Sequence, residues 1–90
     1  MNKHLISEGS AQLSKVLIEE YDGFECGQHK EENTIGYWCG LINDISEEWN
    51  TKGHGYTYDQ AIVSLYLLVK KNELPLTKDA FLTSKFYLEN

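Results

Sequence analysis

Residues 24–41 read FECGQHKEENTIGYWCGL and hold both cysteines of a 90-residue chain. Two runs of alternating polarity, FECGQH and TIGYWCGL, flank the polar KEEN, which predicts a β-hairpin with a loop of about four residues. A hairpin centred between Glu32 and Asn33 sets residues opposite each other when their numbers sum to 65, so Cys26 faces Cys39 and His29 faces Gly36. Strand side chains alternate between faces. Phe24, Cys26, Cys39 and Leu41 therefore share one face, with Tyr37 beside them, and His29 and Trp38 point to the other.

That assignment bears on chemistry. A zinc site needs four converging Cys or His ligands, usually in two close pairs. Cys26-x2-His29 supplies one pair, but Cys39 and His54 stand alone, and an undistorted hairpin sends His29 away from both sulfurs. No metal and no cofactor is expected. The cysteines read first as reduced core thiols, second as a pair that cross-links on oxidation, and only last as metal ligands.

Before the hairpin, Ile6, Leu13, Val16, Leu17 and Tyr21 recur at helical spacing, predicting a helix from about Ser7 to Tyr21 with Ser7 or Ser10 as cap and Gly23 as stop. After it, NDISEEWNTKGHG fits a loop, a short helical turn or a strand extension. Thr57 and Gln60 then form a T-x-x-Q capping box ahead of AIVSLYLLVKK, and Lys70 and Lys71 suit a helix C-terminus, so a long apolar helix is expected over about Tyr58 to Asn72. Its apolar residues run almost all round, which calls for a sheet on one side and a helix, a partner or a second copy of the chain on the other. Thr77 suits the cap of a short C-terminal helix carrying Ala80, Phe81 and Leu82, with KFYLEN as its end or as a terminal strand. The expected fold is α+β in a single domain over 1–90: N-terminal helix, antiparallel β-hairpin or small sheet, long apolar helix, short C-terminal helix.

With 41% hydrophobic residues, one proline and scattered glycines, the chain is suited to one compact domain. It has neither a signal-peptide-like run nor the roughly 18 apolar residues needed to span a membrane, so a cytoplasmic protein is expected. Net charge is −6, and all eight basic residues are lysines. Phosphate backbones are neutralised by clustered Lys and Arg, which argues against direct nucleic-acid binding; an anionic membrane would repel the chain as well. Residues 19–48 hold nine acids against Lys30 alone, whereas the remainder holds five acids and seven lysines. The functional reading is a surface made by Glu19, Glu20, Asp22, Glu25, Asp44, Glu47 and Glu48, with Trp49, Tyr56 and Tyr58 as anchors, that binds a protein partner with a basic surface. The competing reading is a solubilising face.

No phosphate-binding loop, zincin, nucleophile elbow or calcium-loop pattern is present. KGHGYTYD precedes a helix N-terminus that could receive an anion, but the capping box already occupies those donors. His54 with Asp59 or a cysteine does not complete a nucleophile, base and orienting group, so a non-enzymatic protein is expected.

IGYWCGL, a polar loop and GHGYTYDQAIVSLYLLV together resemble the strand, turn and helix of small phage-encoded proteins of the phage ABA sandwich type. The same stretch is similar to the second half of HicB-type antitoxins, whose strand leads through a G-x-T-x-x-E-A turn; Gly55, Thr57, Gln60 and Ala61 occupy those positions, with Gln60 replacing Glu. The N-terminal helix fits the phage sandwich better. The resemblance covers about residues 35 to 70 and implies no catalytic residues. It implies a phage or mobile-element inhibitor that blocks a bacterial defence complex, of anti-CRISPR or anti-restriction kind. A dimeric regulatory or antitoxin-like module is the alternative, and a small metal-binding protein the third.

Overall fold

The computed structural model describes residues 8–31 and 34–89, with the backbone alone for Glu31 and 84–89. The order is α1 (Glu8–Tyr21), β1 (Phe24–Glu31), β2 (Thr34–Leu41), a 3-10 turn (Trp49–Thr51), β3 (Gly53–Gly55), α2 (Tyr58–Lys71) and α3 (Lys78–Glu89). The strands form one antiparallel sheet in the order β1-β2-β3.

The hairpin takes the register expected from its sequence, from Phe24 opposite Leu41 to Glu31 opposite Thr34. Its connection is shorter than expected: only positions 32 and 33, outside the described residues, separate the strands. Cys26 and Cys39 sit directly opposite each other, with Cα atoms 4.1 Å apart, and are joined as a disulfide. This corrects the expectation of reduced thiols. The register places both sulfurs on one face of a closely spaced pair, where proximity favours the bond. Cys39 is buried in the core and Cys26 is exposed. Reducing the bond, which closes a loop with a sequence separation of 13, should lower stability by about 3 kcal/mol. Thermal unfolding with and without a thiol reductant measures that loss.

β3 is only three residues, Gly-His-Gly, and is there because α2 lies directly on it. A Cβ on Gly53 would stand 2.2 Å from the Leu65 nitrogen and 2.4 Å from the Ala61 oxygen, so only a residue without a side chain lets the helix backbone come this close. Leu17, Cys39, Ala61, Ile62 and Leu65 are fully buried between α1, α2 and this face of the sheet.

The helix ends follow local chemistry. Thr57 Oγ1 accepts from the Gln60 N–H at 3.1 Å, and the Gln60 side chain reaches back to accept from the Tyr56 N–H at 2.7 Å, one residue upstream of the cap. α2 spans 14 residues and is closed by Asn72 in the left-handed conformation (φ 57°). It is covered by the sheet and by α1, while Val63 remains 38% exposed beside a groove shared with Leu67, Leu74 and Leu76. α1 ends where Asp22 and Gly23 take positive φ, 65° and 107°. Ser10 does not cap α1: it lies in the first turn and is buried. Ser7, the other proposed cap, lies outside the described residues. The C-terminal segment is helical to Glu89, and Thr77 Oγ1 accepts from the Ala80 N–H at 3.1 Å as the sequence suggested. No helix among the described residues is long and apolar enough to cross a membrane.

Candidate functional site: an acidic and aromatic pocket

The second face of the sheet carries His29, Trp38 and His54, the positions the alternation sends away from the disulfide. The chain covers part of it twice. The loop after β2 brings Trp49 flat against His54, with ring centroids 3.6 Å apart at 4°. The segment after α2 then crosses toward the same face, where the Trp49 indole N–H donates to the Leu76 carbonyl at 2.6 Å. Phe81 of α3, 1% exposed, completes the cluster against Tyr56 (4.3 Å), Trp49 (5.5 Å) and His29 (5.7 Å). The Tyr56 hydroxyl donates to the Phe81 carbonyl.

His54 is a neutral member of this cluster. Its Nε2 lies 2.8 Å from the Trp49 carbonyl, which can only accept, so Nε2 carries the proton, and the buried Nδ1 has no hydrogen-bond partner among the described residues. Burial pushes its pKa below the ordinary histidine value, with the neighbouring His29 and Lys52 adding to the fall and the Trp49 carbonyl opposing it.

Beside the cluster opens a pocket of about 630 Å³ whose wall includes Glu25, His29, Trp38, Ile42, Asp44, Ile45, Glu47, Glu48, Trp49, Lys52 and Lys78. Asp44 is fixed at its edge: its carboxylate accepts from the Ser46 N–H at 3.0 Å and pairs with Lys52 Nζ at 3.1 Å. The Ser46 bond and Lys52 hold the Asp44 carboxyl below its usual pKa against the opposing effect of burial. Glu25, Glu47 and Glu48 are exposed around the opening, and Ile45 is 94% exposed next to them.

The residues singled out in the sequence thus divide. Glu25, Asp44, Glu47, Glu48 and Trp49 meet at the pocket. Glu19 and Glu20 lie exposed on α1, where Glu20 pairs with Lys70 of α2, and Asp22 lies exposed just beyond that helix. The aromatic anchors are engaged internally: Trp49 on His54 and Leu76, Tyr56 on Phe81, and Tyr58 against the Tyr37 ring at 4.4 Å. Trp38, Lys52 and Ile45 are pocket residues that the sequence reading did not select. The alternation placed Trp38 on the outer face, but nothing local marks the loop and helix that turn that face into a concave wall.

Among the described residues no group of three or more His, Cys, Asp or Glu side chains converges as a cation site. The pocket offers carboxylates, indole surface and exposed isoleucines, a chemistry for holding a cationic, partly apolar group. No family model, no curated protein and no solved structure matches this chain.

Proposed function

We propose that this protein is a non-enzymatic interaction module that binds a basic protein segment at the acidic and aromatic pocket. The observation that carries the reading is the convergence of Glu25, Asp44, Glu47 and Glu48 with Trp38 and Trp49 around one concavity, from segments as distant in sequence as β1 and the loop after β2. Carboxylates at a rim steer a cationic partner and set its orientation, while indole and isoleucine surface supplies the desolvated contact. The narrower reading places that partner in the nucleic-acid groove of a bacterial defence complex, with the acids standing where phosphates would lie.

The test is a titration with a synthetic arginine- and lysine-rich peptide at several salt concentrations. Wild-type protein should bind with an association rate that falls as salt rises, because exposed charges are screened over about 8 Å at physiological ionic strength. Glu47→Lys with Glu48→Lys should slow association at least about tenfold. Glu19→Lys with Glu20→Lys, the same change of charge placed on α1, should leave it within about twofold, since both lie outside the pocket. Equal losses from both changes would mean that diffuse charge governs binding, and the pocket would lose its role.

A further inference from the structure

One of the pocket's own lysines already sits against its acids and indole. Lys52 leaves the strand region beside β3 and lays its stem over Gly40, where a Cβ would come within 3.1 Å of Nζ and 3.3 Å of Cδ. Its ammonium group pairs with Asp44 at 3.1 Å and stands over the Trp38 ring, 5.7 Å from the centroid. Trp38 is backed by Gly27, whose missing side chain leaves room for the indole to lie across β1. A carboxylate and an indole thus recognise one cationic side chain, with both members of the ion pair largely withdrawn from water: Lys52 is 16% exposed and Asp44 21%.

We infer that Lys52 is an internal occupant of a guanidinium site: an arginine side chain of the partner displaces its ammonium and takes its place between Asp44 and Trp38. The inference rests on the interaction reading above and adds the ligand group and the competitor. Arginine suits the position better than the lysine it displaces. Its planar guanidinium stacks on an indole and donates in parallel to a carboxylate, and it is less strongly hydrated than an ammonium. Glu25, Glu47 and Glu48 line the same pocket and add negative charge around it. Ile42 and Ile45, 47% and 94% exposed, give an apolar neighbour of that arginine a surface to cover.

An internal competitor has a measurable signature: apparent affinity falls by the fraction of time the site is filled from within, and removing the competitor restores it. The probe is the peptide acetyl-Gly-Arg-Gly-amide, followed by the shift of the Trp38 indole N–H resonance, with the neutral citrulline peptide beside it. Lys52→Met keeps the stem on Gly40 and removes the charge, and it should bind the arginine peptide about fivefold more tightly than wild type. Lys78→Met removes another positive charge from the same wall and should gain no more than about twofold, the general electrostatic share. Adding Asp44→Asn to Lys52→Met should abolish the gain.

Equal gains from Lys52→Met and Lys78→Met would overturn the inference, as would equal binding of the citrulline peptide or a Trp38 resonance that does not move. The native far-ultraviolet dichroism of each variant establishes that it is folded. If Lys52→Met gains nothing while reversal of Glu47 and Glu48 still slows capture of the arginine- and lysine-rich peptide, the displacement idea falls and the interaction reading stands.

Discussion

Replacing Phe81 with alanine should lower stability by about 3 to 5 kcal/mol, the range for deleting a buried aromatic side chain. Phe81 is 1% exposed and brings α3 into the aromatic cluster, within ring-contact range of Tyr56, Trp49, His29 and His54. Its loss should therefore do more than leave a cavity. The Trp49 bond to Leu76 and the Tyr56 bond to the Phe81 backbone tie this segment to the rest of the fold, and both depend on α3 staying seated. Chemical denaturation should report the stability loss, and the Trp49 environment should become more polar in fluorescence below the unfolding transition. Phe81→Leu keeps most of the volume and should cost less than about 1.5 kcal/mol. Equal losses for leucine and alanine would show that the ring stacking, and not filled volume, holds α3.

Gly53→Ala tests the other side of the sheet and should lower stability by about 3 kcal/mol, near the upper end of the overpacking range. The added methyl would meet the Leu65 nitrogen at 2.2 Å and the Ala61 oxygen at 2.4 Å, both backbone atoms that no rotamer change can move. Either α2 lifts off β3 or β3 leaves β2. For a domain of this size that loss corresponds to a fall in melting temperature of roughly 15 °C. Gly9→Ala is the internal control: nothing lies within 4 Å of its added methyl, and glycine in a helix is less favourable than alanine by about 0.5 to 1 kcal/mol. It should therefore be neutral or slightly stabilising. A melting temperature unchanged by Gly53→Ala would mean that the close seat of α2 on β3 is not what orders the third strand.

What the sequence determined by itself is what neighbouring residues settle among themselves. The hairpin register could be read because two alternating runs lie a few residues apart, and that register carries with it the facing of Cys26 on Cys39 and the turning of His29 and Trp38 to the opposite face. The α2 cap and the Thr77 cap of α3 were legible for the same reason: each is a hydrogen bond closed within four residues. Other features needed the assembled chain. Gly53–Gly55 has no β-branched residue and becomes a strand only because β2 pairs with it and α2 requires a surface without side chains there. The state of the cysteines turned on the sulfurs being held in contact, which overrode the general expectation for a pair of thiols. The acidic residues form one run in sequence yet separate in space, because α1 carries Glu19 and Glu20 away from the pocket while the loop after β2 folds Asp44, Glu47 and Glu48 back to meet Glu25. The pocket itself depends on Trp49 and Phe81 crossing onto the outer face of the sheet; the Trp49 stack on His54 is local, but their contacts with His29 and with each other join residues 20 to 52 positions apart in sequence. Contacts at that separation are selected by which exposed surfaces remain to be covered once the local elements have formed, so no short stretch of sequence records them.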